Sequence, residues 1–187
     1  MLDLFRPFSF LTIQHPSRLP LWVNWMLPCI VTVAVIIGFS AFSAPLNFFG
    51  SQGLIDRLLS FIQTLAGFYI AALAAVSSFN SPHLDREMPQ PAPTMYIKHN
   101  GALQKVSATR RRFLTAMFAY LTALSIIFSL TGIAALNLAL PLAIEFPLAI
   151  VWLRWTGLAC FLFLLFQMML ITFWGLFYLG ERMLTPD

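Results

Sequence analysis

Four long apolar runs, each nearly free of charge, constrain this chain more than any motif in it does. A bilayer's hydrocarbon core is about 30 Å thick, so a spanning helix needs roughly 20 consecutive apolar residues. The runs at about 20–42, 54–79, 113–138 and 147–180 meet that requirement. Of the 187 residues, 59% are hydrophobic and 10% charged, whereas soluble domains carry about a quarter charged residues. No soluble surface can be built from such material. The sequence therefore predicts an all-α, polytopic membrane protein: one domain over residues 1–187, a four-transmembrane-helix bundle with a short N-terminal interfacial segment. The spans leave no room for a large catalytic domain outside the membrane.

Local signals sharpen this outline. Leu2 to Ile13 is rich in Leu and Phe but is broken by Asp3, Arg6 and Pro7 and is too short to cross, so it is expected at the interface. It lacks the charged start, compact apolar stretch and small-residue cleavage site of a secretory signal, which makes the first span an uncleaved anchor. Pro20 suits a helix start. Pro28 kinks the span locally, which membrane helices tolerate when neighbours satisfy the freed carbonyl. Trp22 and Trp25 stand where amphipathic rings anchor at headgroup level. The uncharged, turn-prone stretch 43–53 joins neighbouring antiparallel helices.

In the second span, Gly67, Ala71 and Ala75 recur every four residues with Ala74 and Ser78 beside them. Such a stripe allows close helix approach, either inside the chain or between copies of it. The segment 80–112 is the main extramembrane surface. It holds Pro82, Pro89, Pro91 and Pro93, whose cluster favours an extended or turn-rich path from Glu87 to Thr94, and Asn100-Gly101 signals the turn of a small hairpin. After Pro141 an apolar connection carrying Glu145 is expected, with Pro147 opening the last helix. Trp155 and Trp174 on that helix lie about 19 residues apart, roughly 28 Å, matching two interfacial belts. Arg154 then snorkels to the headgroups, and Glu181 and Arg182 project into water.

Orientation follows from the cations. Arg6, Arg18, Arg86, Lys98, Lys105, Arg110, Arg111, Arg112 and Arg182 fall on one side, Arg57 and Arg154 on the other. Cationic loops are retained in the cytoplasm, so both termini and the 80–112 loop are expected there. The net charge of +4 is accounted for by topology and anionic headgroups, and direct nucleic-acid binding is not expected.

Chemistry is sparse. His83, Asp85 and Glu87 put an imidazole and two carboxylates close together, which could hold a divalent cation, but a solvated headgroup-facing run explains them as well. Cys29 and Cys160 sit in apolar runs without metal-ligand or disulfide spacing. No nucleophile elbow, phosphate loop or His-Glu-x-x-His pair occurs, so no catalytic, metal or cofactor-binding residue is assigned and an enzyme is not expected. Gln63, Asn137 and Gln167, with Asn24 and Thr64, are the polar groups within spans; they serve as interhelical glue or line a pore formed by an oligomer. Lys98, Lys105, Arg110, Arg111 and Arg112, with Met95 and Tyr96, could attract an acidic cytosolic partner or anionic lipid.

The short length, four spans, inside termini and basic middle loop containing AALAAVSSFNSPHLDREM resemble the small transmembrane subunit of bacterial anti-phage defence systems of the Kiwa type. The resemblance is one of architecture along the whole chain and carries over no residue roles. It implies a homo-oligomeric inner-membrane sensor that partners a cytosolic, DNA-binding effector. Two functions are thus expected from different classes: a non-enzymatic sensor or anchor docking a partner through its basic loop, or an oligomeric pore or transporter-like channel.

Overall fold

A computed structural model describes residues 2–14, 19–42, 47–50, 52–88, 92–99, 102–146 and 150–179. Four of its helices are long and apolar enough to cross a membrane: α1, Trp22–Ser40; α2, Leu54–Ser78; α3, Arg110–Glu145, whose apolar portion is Arg110–Ala139; and α4, Ile150–Phe177. The chain is a multi-pass membrane protein. Its outward faces carry Ile37, Phe68, Leu130, Trp152 and Phe173, a degree of apolar exposure that lipid accommodates and water does not.

Periodicity decides how the helices meet. On α2 the buried residues Ile55, Leu59, Ile62, Tyr69 and Val76 recur at steps of four, three, seven and seven, a seam along one side. That seam packs along α3; α3 also packs on α4, and α4 on α1. The two inner helices are thus α3 and α4, while α1 and α2 each lean mainly on one neighbour. Two glycines allow the closest approaches. A Cβ at Gly132 of α3 would lie 2.6 Å from a Leu59 methyl, and one at Gly175 of α4 would collide with the Met117 side chain.

The third helix differs from its expected bounds at both ends. It begins at Arg110, because the Thr109 hydroxyl caps it by accepting from the Arg112 amide at 3.3 Å. The three arginines are therefore its first turn and not part of a loop. It continues through Pro141 to Glu145. A proline removes one backbone donor, and here only about one further turn follows it, with Leu142 and Ala143 favouring helix. Pro147, expected to open the last helix, and residues 180–187, with Glu181 and Arg182, lie outside the described residues.

In α1, a turn at Leu19–Leu21 leads into a π-helical stretch, Trp22–Met26, which becomes α-helical from Leu27. The N-terminal segment Leu2–Thr12 is a 3-10 helix packed on α3. There Phe10 stacks on Tyr120 with ring centroids 5.5 Å apart, and Phe8 meets the same ring edge-on at 5.9 Å. Phe113, one turn into α3, receives Phe10 from the N-terminal segment and Tyr178 from beyond α4, at 5.8 and 5.9 Å. Both ends of the described chain thus converge at the same end of the bundle.

At that end lies the one sheet among the described residues. β1, Thr94–His99, pairs antiparallel with β2, Ala102–Ser107, in a register that puts His99 opposite Ala102. Two residues connect them, as the Asn100-Gly101 signal predicts. The hairpin is pinned to the rest of the chain by bridges Gln14–Thr94 and Glu87–Thr109. A short helix, Pro82–Asp85, precedes it.

Candidate functional site

The hairpin end gathers most of the groups that could do chemistry, and Arg111 organises it. Helix α2 ends at Ser78 with carbonyls that have no helical donor. The Arg111 guanidinium fills that gap, donating from one terminal nitrogen to the carbonyls of Val76 and Phe79 at 2.9 and 2.7 Å. Its other N–H groups grip Asp85 side-on, at 2.8 and 3.1 Å. Arginine's planar fork suits such two-sided binding. These hydrogen bonds hold the Asp85 carboxyl below the usual carboxylate range. The anion also offsets the placement of positive charge at a helix N-terminus, where the dipole disfavours it.

Of the basic residues expected to attract a partner, then, Arg111 is engaged within the chain. Arg110 is buried, at 3% exposure. Arg112 is exposed. Lys105 is exposed on β2 and donates to the Gln14 side-chain oxygen at 3.2 Å. Lys98 stands in β1 opposite Leu103, and its side chain lies outside the described residues.

Arg112 borders a cleft of about 370 Å³ between the 3-10 helix, β1 and the top of α3, lined by Arg6, Pro7, Ser9, Tyr96, Thr115 and Ala119 among others. Arg6 is missed by a reading that follows clusters along the sequence, because it is brought to Arg112 by the packing of Phe8 and Phe10 on Tyr120.

The His83, Asp85, Glu87 run does not act as one cluster. Asp85 holds Arg111, while Glu87 accepts from the Ser107 hydroxyl at 2.9 Å. His83 is exposed on the short helix. Among the described residues no three His, Cys, Asp or Glu side chains are placed to share a metal ion. Cys29 and Cys160 are free thiols on outward faces, not core-packing residues, since the inward seams of α1 and α4 run along other sides.

The polar residues of the spans do not line one passage in the single chain. Gln63 faces outward on α2. Asn137 also faces outward and donates back to the Ile133 carbonyl of its own helix at 2.8 Å. Gln167 is buried at 2% exposure; it accepts from the Tyr120 hydroxyl at 3.0 Å and donates to the Asn24 carbonyl at 2.8 Å. Tyr69 and Thr172 share a further hydrogen bond, 2.6 Å long, between α2 and α4. The small-residue stripe likewise turns away from the other helices: a Cβ at Gly67 would meet nothing within 4 Å, and Ala71 is exposed. Close packing inside the chain uses Gly132 and Gly175 instead, single glycines that no repeat announces.

At the far end, a cavity of about 500 Å³ lies between residues 47–50, α3 and the start of α4, with Arg154 at its edge beside Trp155 and Phe48. No protein-family model, curated protein or solved structure matches this chain.

Proposed function

We propose that this chain is a non-enzymatic sensor or anchor subunit of a bacterial inner membrane, with both termini in the cytoplasm, which self-associates and docks a cytosolic effector through the hairpin end. The carrying observation is that the basic loop is a folded hairpin, paired over six residues on each strand and tied to the bundle by the Gln14–Thr94 and Glu87–Thr109 bridges. Preorganised backbone lowers the ordering cost of docking. The exposed Tyr96 and Lys105 sit opposite each other on it, an aromatic and a cation of the kind that recognises an acidic surface. A role in anti-phage defence, as in the Kiwa-type systems the architecture resembles, is part of this proposal.

Reversing the whole Arg110–Arg112 triplet would test folding, since Arg111 holds α2 and Asp85. The informative variants are Lys98→Glu and Lys105→Glu. A tagged full-length chain, extracted from its native cells in mild detergent, is expected to retain a stoichiometric soluble protein that these two replacements release. A homo-oligomer that co-elutes with no partner, or a partner indifferent to both lysines, would overturn the docking role.

A further inference from the structure

We propose that the cleft between the N-terminal 3-10 helix, β1 and the first turns of α3 is a built site for the phosphodiester of an anionic phospholipid, with an acyl chain running down α3 beneath it. The site stands independently of any protein partner. Two cations flank it, Arg6 and Arg112, and both side chains are exposed. Among the described residues neither guanidinium has an ion pair or hydrogen bond, whereas Arg111, on the same wall, spends its donors on Asp85 and on the end of α2. Ser9, Tyr96 and Thr115 add hydroxyl groups to the lining. Paired guanidiniums with hydroxyl donors are the chemistry that recognises a phosphate.

The lower wall selects an amphiphile over a free anion. Arg112, Thr115, Ala116 and Ala119 recur at steps of three, one and three, so they share one face of α3. That face passes from a cation through a hydroxyl to two alanines, whose small side chains leave a shallow apolar track toward the bundle's middle. Pro7 and Met95 close its sides. A headgroup phosphate at the guanidiniums therefore places the attached acyl chain along Ala116 and Ala119, at the depth where α3 no longer carries charge. The first turn of α3 also directs its positive dipole end toward the headgroup position.

The test uses the full chain in neutral detergent, with native mass spectrometry to count and rank bound lipid. Dioleoyl phosphatidylglycerol is expected to bind at one molecule per chain in preference to dioleoyl phosphatidylcholine. Arg6→Gln and Arg112→Gln should each weaken it about fivefold, the usual worth of one cation near an anionic headgroup. Ala119→Phe, which fills the track and leaves both cations in place, should weaken it as well. Lys105→Gln, outside the cleft, should bind as the unaltered chain does. Equal retention of the two lipids, or unchanged phosphatidylglycerol binding in both arginine variants, would overturn the site. Competition by inorganic phosphate at matched concentration would overturn the lipid assignment in favour of a soluble phosphate. Should an arginine variant fail to fold, the Ala119→Phe comparison decides alone: binding as strong as that of the unaltered chain overturns the site.

Discussion

Gln167 donates its side-chain amide to the Asn24 carbonyl at 2.8 Å, and residue 28, which would supply that carbonyl's α-helical donor, is a proline. The glutamine of the last helix thus mends the break that Pro28 makes in the first, at the point where Trp22–Met26 winds as a π-helix. Its oxygen is taken by Tyr120 of α3, so one side chain joins three helices. Replacing it by leucine removes both bonds and leaves a buried hydroxyl without its acceptor. Interhelical hydrogen bonds in membranes average about 0.6 kcal/mol and reach about 1.7. Gln167→Leu is therefore expected to destabilise by about 1–3 kcal/mol, and Tyr120→Phe by about half as much. Unfolding in mixed detergent micelles measures both, and a double variant no worse than Gln167→Leu alone would confirm that the two act together. An unaltered midpoint in Gln167→Leu would count against the mending role.

Arg111 and Asp85 give a pH-dependent expectation. Hydrogen bonds from Arg111 lower the Asp85 pKa in the folded chain, so the unfolded chain takes up a proton there first as the pH falls. The stabilisation from this pair is complete above the ordinary aspartate value of about 3.9 and is lost as pH falls through the lower, folded value. Amide protection across residues 76–86, taken relative to the intrinsic exchange rate at each pH, should stay constant from neutral pH to about 5 and fall below about 4. In Asp85→Asn that acid step should be missing and exchange should be faster at neutral pH. An acid step of the same size in Asp85→Asn would assign it to another group.

The spans were legible because each satisfies the bilayer by itself: a run such as 54–79 needs no knowledge of its neighbours to be read as helix. The hairpin was legible from Asn100-Gly101 for the same reason, its signal being local. Pro28 announced a carbonyl that something must satisfy, but nothing in the sequence could point to Gln167, 143 positions away. Arg110 to Arg112 were legible as cations and not as three different residues. A helix cap, an ion pair and burial separate their fates; the cap at Thr109 is local, but the place of Arg111 depends on where α2 ends. Arg6 joins Arg112 only through the stacking of Phe10 on Tyr120. The end of α3 was misplaced because a proline near a helix terminus breaks little, and its local signal is the same as that of one that ends a helix.

The glycines separate packing within the chain from packing between chains. At Gly132 an added methyl would press on Leu59, 2.6 Å from one of its methyls, and overpacking of that kind costs about 1–3 kcal/mol. Gly132→Ala is expected to lower thermal stability of the monomer in detergent, whereas Gly175→Ala meets only the flexible end of Met117, which can swing aside, and should cost less. Gly67→Ala meets open space, and alanine favours helix by about 1 kcal/mol over glycine, so the monomer should be unharmed or slightly firmer. If copies of the chain meet across Gly67, Ala71 and Ala75, the bulkier Gly67→Ile should keep the monomer folded yet reduce cross-linking between copies in native membranes. Undiminished cross-linking in Gly67→Ile would remove this stripe from the contact between copies, and loss of folding in that variant would show that the α2 face is covered within a single chain after all.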